Sequence, residues 1–200
     1  MEFRLLYAGN WLKAASQRNT RAWEKHSLRR HFHAQLKSLW RHNPTLNWYG
    51  SSRVEHGGVM SLTFEERLAE QYSRAEIGFV PLINKSNGLV CELEILILRP
   101  GPPGELIKHG GDIDNRVKVL LDSLRMPEDA SEMKRMSDDE PDPNPMYCLL
   151  QDDSLITKLT ITVDQLLIDM DKQTDASACV VITVNTKSIS AFITPMELLT

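Results

Sequence analysis

"AEIGFVPLINKSNGLVCELEILILR" (residues 75–99) holds two apolar runs, "AEIGFVPLI" and "LVCELEILILR", on either side of the polar "NKSNG". Both runs are rich in β-branched and aromatic residues. The pattern predicts two antiparallel strands joined by a turn. Downstream, "PGPPGEL" (100–106) stops the second strand, and the chain then turns helical.

The helix is predicted from the spacing of Val117, Leu120, Leu121 and Leu124, which places these side chains on one apolar face. It opens on "GGDIDNRVKVLLDSL" (110–124), with Asp112 and Asp114 two apart, Asn115 next, and Lys118 one turn beyond Asp114. Residues two apart share a face only in extended chain, so the two carboxylates converge only if the chain stays extended up to the helix start. Gly110 and Gly111 make a close approach sterically easy. Paired carboxylates repel unless a cation lies between them, and oxygen-only donors suit Mg²⁺ or Mn²⁺. A plainer reading is also open: Asp114 caps the helix, with Asp114, Lys118 and Asp122 forming a surface ladder four apart.

After Arg125, "MPEDASEMKRMSDDEPDPNP" (126–145) lacks an apolar period and is rich in Pro and acid, which predicts a mobile surface insertion at about 126–146. "QDDS" (151–154) follows and offers Asp152 and Asp153 as further acids. "SLITKLTITVDQLLI" and "ASACVVITVNT" read as two more strands, joined by "DMDKQTD". Toward the N-terminus, "EFRLLYAG" reads as a first strand. A helix from about Arg21 to Arg41 carries Leu28, Phe32, Leu36, Leu39 and Trp40 toward the core. Residues 44–62 read as an irregular connection, and "TFEE" (63–66) as a capping box that opens a short helix.

These elements give an α+β class: a mixed, mostly antiparallel sheet of about five strands with about three helices, in a single domain over residues 1–200. Within it, residues 1–75 form the N-terminal basic helix and its connection, and residues 76–186 the core.

Net charge is -4, yet residues 1–43 hold nine Lys and Arg against Glu2 and Glu24, so a segment of +7 faces a remainder of -11. Arg21, Lys25, Arg29, His33, Lys37 and Arg41 recur four apart on the first helix, where like charges destabilise it by about 0.2–0.5 kcal/mol per pair. An anionic partner relieves that repulsion. The acidic remainder, a second subunit or a nucleic acid each qualifies. His26, His31, His33 and His42 read as part of the same basic surface, and the tryptophans as core or contact residues. With 42% apolar and 25% charged residues, no apolar run of membrane-spanning length, no leader pattern and three scattered cysteines, the chain reads as a cytoplasmic protein.

"DIDNRVKVLLDSL" followed by "LLQDDSLITKL" resembles the RusA family of Holliday-junction resolvases, in which an Asp-x-Asp-Asn opens a helix, a Lys lies four beyond the second Asp, and an Asp-Asp precedes a strand. The resemblance implies Asp112, Asp114 and Asp153 as metal-binding catalytic acids, Asp152 as an auxiliary ligand and Lys118 as the cation beside the scissile phosphate. It further implies Mg²⁺, a homodimer and cleavage of branched DNA. The basic residues that this family carries before the first Asp are here reduced to Lys108 and His109, so Arg21, Lys25, Arg29 and Arg30 join Lys108 as candidate DNA contacts. Two alternatives stand beside this one: a non-catalytic module that binds nucleic acid or protein, and a metal-dependent nuclease for flaps, RNA or single strands.

Overall fold

The computed structural model describes residues 1–10, 18–53, 61–100, 113–133, 141–167 and 177–189. It is α+β, with seven strands in two sheets and four helices among the described residues. In chain order these are β1 (Glu2–Asn10), α1 (Arg18–His42), α2 (Pro44–Ser51), α3 (Phe64–Gln71), β2 (Ser73–Arg74), β3 (Ile77–Ile83), β4 (Leu89–Arg99), α4 (Ile113–Leu124), β5 (Met146–Leu150), β6 (Ile156–Gln165) and β7 (Ser177–Ser188).

The larger sheet runs β1-β7-β4-β6 and the smaller β2-β3-β5. In the larger, β7 is antiparallel to both β1 and β4, whereas β6 is parallel to β4. In the smaller, β3 is antiparallel to β2 and parallel to β5. The expected hairpin over residues 75–99 is therefore not formed: β3 and β4 lie in different sheets. "NKSNG" instead makes a tight 3₁₀ turn, in which Asn84 Oδ1 accepts the Asn87 N–H at 3.0 Å and Gly88 takes a left-handed φ of 63°. That turn sends the chain from one sheet into the other. Likewise β6 and β7 are not neighbours, because β4 lies between them.

Helix α1 starts at Arg18, with Thr20 inside it, and buries Leu28, Phe32, Leu36 and Trp40 in the core. Phe79, Leu82 and Ile83 of β3, Leu93 and Ile95 of β4, and Val180, Ile182 and Val184 of β7 complete that core. The expected irregular connection over residues 44–62 contains α2, which Asn43 caps through a bond from the Leu46 N–H at 3.0 Å, with Pro44 in the first turn. Pro has no N–H to leave unsatisfied there, and its fixed φ suits the start of a helix. The capping box at Thr63 and Glu66 forms as expected.

The acidic stretch after Arg125 is not a detached loop where it is described. Met126 and Met146 are core residues, Glu132 takes part in an ion network, and Asp142 is buried against α1. Residues 134–140 lie outside the described residues.

Candidate metal and nucleic-acid site

Asp112 and Lys108 lie outside the described residues, and of Asp114 the structure describes the backbone, which belongs to the first turn of α4. One turn on, Lys118 is exposed and has no ion pair with any described side chain. Asp122, a further turn on, points the other way. It is 5% exposed, receives Lys25 Nζ at 2.5 Å, and lies 3.3 Å from Arg125 Nη2. The surface ladder of Asp114, Lys118 and Asp122 is thus broken at its last member, because Asp122 serves the core.

Asp152 and Asp153 sit where β5 ends. Asp152 caps the 3₁₀ turn Asp153–Leu155, accepting the Ser154 N–H at 2.8 Å, and Asp153 is exposed in that turn. Bonds from Ser154, through its side chain and then its backbone, hold the Asp152 carboxyl below the usual range, with help from the charges of Lys85 and Arg125. Gln151 fixes the loop to the turn after β3: its N–H donates to the Ile83 carbonyl at 2.9 Å, and its Oε1 accepts the Lys85 N–H at 2.9 Å. Sequence spacing gave no sign of Lys85 here, because it reaches Asp152 only through the parallel β3–β5 pair.

Helix α4 separates the two acidic stretches. At its C-terminal end Arg125 bridges Leu150, and the Met126 N–H donates to the Leu150 carbonyl at 2.9 Å. Near its N-terminal end Arg116 feels the charge of Arg99, which closes β4 at the end remote from Cys91 and Ile156. Asp152 and Asp153 therefore adjoin the end of α4 and Asp114 its start, with about 16 Å of axial rise between residues 114 and 125. Among the described residues no group of three or more His, Cys, Asp or Glu side chains gathers in metal-binding fashion.

The candidate DNA contacts on α1 are largely engaged inside the chain. The Arg29 side chain is fully buried; Nε donates to the Arg125 carbonyl at 3.0 Å and Nη2 to the Asp122 carbonyl at 2.9 Å. Burial lowers its pKa to about 10. A guanidinium so placed cannot reach a phosphate, and the expectation for Arg29 is corrected on that ground. Lys25 is bound to Asp122, and Arg30 lies 3.8 Å from Asp142. The acidic remainder of the same chain thus supplies the anionic partner for this part of the helix. For Arg21 the structure describes the backbone.

Two histidines expected on the basic surface are also buried. His26 is 1% exposed and His33 8%. His33 Nδ1 accepts the Tyr147 N–H at 2.9 Å, and burial, reinforced by Lys37, Arg30 and Arg41, lowers its pKa to about 4. Of the tryptophans, Trp40 is core and Trp48 is 61% exposed.

No protein-family model matches the chain, and neither the curated proteins nor the solved structures contain a match. Among the described residues, no helix is long and apolar enough to cross a membrane.

Proposed function

We propose that this chain is a Mg²⁺-dependent nuclease acting on branched DNA, centred on the segment that opens α4. The observation that carries this reading is Lys118: one turn beyond Asp114, exposed, and without an ion pair to Asp122 or any other described side chain. An ammonium kept available next to an Asp-x-Asp segment is what charge stabilisation at a phosphate requires. Asp122, the ladder member one turn further on, is spent on Lys25 and Arg125 instead.

The donors fit the metal. Mg²⁺ is commonly held by one or two carboxylates, with waters and substrate phosphates filling its remaining positions. Asp112 and Asp114 would hold it, and when bound it supplies an activated water and charge neutralisation on the phosphate. Lys118 adds positive charge on the same side of α4. In this reading Asp152 and Asp153, beside the other end of α4, would hold a second cation. Branched DNA as substrate, a homodimer as the assembly and the cytoplasm as the setting come from the resemblance to the RusA family.

A second reading, a non-catalytic module with the same fold, is favoured by one observation: the distance along α4 between its opening and Asp153. The two readings part on cleavage of a labelled four-way junction, a flap and a plain duplex, with and without Mg²⁺, by the wild type and by Asp114→Asn and Asp153→Asn. Under the nuclease reading, Asp114→Asn abolishes cleavage but still binds the junction, and Asp153→Asn retains measurable cutting. Binding without cleavage by all three proteins selects the module.

A further inference from the structure

The turn Asn84–Gly88, which carries the chain from the smaller sheet into the larger, is closed by a compact set of bonds. The Asn87 N–H donates to Asn84 Oδ1 at 3.0 Å and to the Asn84 carbonyl at 3.2 Å, and the Gly88 N–H donates to the Lys85 carbonyl at 3.2 Å. Beneath them, the Asn84 side-chain amide donates to the Pro81 carbonyl at 3.0 Å, and Asn87 Nδ2 donates to the Leu82 carbonyl at 3.5 Å. Asn84 is fully buried and Asn87 is 5% exposed. The Ile189 N–H, beyond the end of β7, donates to the Gly88 carbonyl at 2.9 Å.

Gly88 is required at its position, because its φ of 63° lies in the left-handed region that side chains disfavour. The same residue opens Asn87 to attack by its own backbone. The Cγ of an asparagine lies within ring-closing reach of the next residue's backbone nitrogen, and a side chain on that next residue hinders the closure. Of the nine asparagines in the chain, Asn87 alone precedes glycine. Asn43 and Asn144 precede proline, whose nitrogen has no proton to give up, and the others precede Trp, Thr, Lys or Arg.

We infer that Asn87 is a site of spontaneous deamidation, and that the turn Asn84–Gly88 is its gate: the closed turn protects both reacting groups, and its opening releases them. In the step, the Gly88 backbone nitrogen attacks Asn87 Cγ. The N–Cγ bond forms, the Cγ–Nδ2 bond breaks, and Nδ2 leaves as ammonia with the proton that Gly88 gives up. Water then opens the cyclic imide at either carbonyl, leaving Asp or the β-linked isoaspartyl residue. Nothing besides water is consumed. While the turn is closed, the Gly88 proton is held by the Lys85 carbonyl and the Asn87 side chain is almost out of solvent, so hydroxide reaches neither group.

The product does not restore the turn. A carboxylate at position 87 has no proton for the Leu82 carbonyl, and it would carry its charge into a buried place. The isoaspartyl form also lengthens the backbone between the two sheets by a methylene. Each opening that goes on to react is therefore irreversible. Its effect extends to Asp152, because Lys85 of the same turn donates its N–H to Gln151 Oε1 at 2.9 Å. This inference stands whether or not the chain cuts DNA.

Peptide mapping by mass spectrometry, with Asp and isoaspartyl products separated, tests it on the full chain held at mildly alkaline pH in buffer and in urea. In urea, Asn87 should convert ahead of the other asparagines. In buffer it should convert about tenfold more slowly or less, the factor that corresponds to about 1.4 kcal/mol of opening. Urea well below the global transition seen by circular dichroism should already raise the rate, because the turn opens locally. Asn84→Ala, which removes the side-chain acceptor of the Asn87 N–H, should raise the rate in buffer and leave the rate in urea unchanged. Equal rates for the wild type in buffer and in urea, another asparagine converting ahead of Asn87 in urea, or a rate that stays flat until global unfolding each overturns the inference. A folded Asn84→Ala protein that converts at the wild-type rate overturns it as well.

Discussion

His26 Nε2 lies 2.8 Å from Asp142 Oδ1, across 116 positions of sequence, and both side chains are almost fully buried. On its other side, His26 Nδ1 faces Arg29 Nη1 at 3.5 Å. An arginine can only donate, so Nδ1 is the acceptor, and the neutral ring gives its Nε2 proton to Asp142. Burial lowers the His26 pKa against the opposing pull of Asp142. The contact ties α1 to the chain entering β5, so the acidic stretch closes on the fold at its far end.

Stability should therefore fall on acidification, and His33 sets the window. Its ring takes a proton near 6.5 in the unfolded chain and near 4 in the folded one. Between these values the unfolded state binds more protons, so unfolding becomes easier as pH falls from 6.5 to about 4, and this contribution is complete above the window. Protonation must also break the bond from the Tyr147 N–H. The loss for His33 alone approaches about 3 kcal/mol, with His26 adding in the same direction. Urea midpoints measured across this range should drop, and His33→Gln should flatten the drop. A flat wild-type profile would remove the assignment of a neutral buried ring.

Arg29 should behave as a structural cation. Arg29→Met leaves the Arg125 and Asp122 carbonyls without their donors and removes one positive charge from a cluster with Lys25, Arg125, Asp122 and Glu132. Breaking a buried network of this kind costs about 3–5 kcal/mol. Denaturant titration should show the loss, while the salt dependence of DNA binding keeps its slope. If the slope falls with stability unchanged, Arg29 is exposed in solution and the packing of α1 on α4 is different.

The strands were largely legible in the sequence, and their pairing was not. "IGFVPLI" and "LVCELEILILR" look equally strand-like, but β3 is buried at nearly every position whereas β4 alternates. An uninterrupted apolar run suits a strand covered on both faces, but "EILILR" ends the second run in the same way, so the burial contrast between β3 and β4 was not visible in the two runs. The turn of Asn84–Gly88 concealed the change of sheet, since a short polar loop with Gly suits a hairpin equally well. Helix α2 was legible in Asn43 and Pro44. The roles of Arg29, His26 and Asp142 were not, because charge on a helix shows in the sequence and its burial depends on partners about a hundred residues away. For the candidate site, the motif fixes Asp114 and Lys118 on α4, but the place of Asp153 depends on where β5 ends.

Gly78 reports on the contact between α3 and β3. A Cβ there would lie 2.8 Å from Ala69 Cβ and 2.9 Å from the Ala69 carbonyl oxygen. The second contact is with backbone and cannot be relieved by a rotamer. Gly78→Ala should therefore move α3 and cost about 1–3 kcal/mol, read as a lower urea midpoint. Adding Ala69→Gly removes the first contact only, and should recover little.

Lys118 and Asp122 are one turn apart on α4, and their substitution should separate chemistry from stability. Lys118 is exposed, so Lys118→Met should leave the thermal midpoint nearly unchanged, while under the nuclease reading cleavage falls by about 10²–10³. Asp122 is buried between Lys25 and Arg125. Asp122→Asn keeps the shape but removes a buried counter-charge that Lys25 and Arg125 share, leaving them Glu132 and, for Arg125, Glu128, so it should destabilise by about 3 kcal/mol and lower activity only as folded protein is lost. Cleavage per folded molecule is the deciding measurement, with the folded fraction taken from circular dichroism at the assay temperature. Equal specific activity for Lys118→Met and the wild type would show that the ammonium takes no part at the phosphate, and the reading built on it would fall.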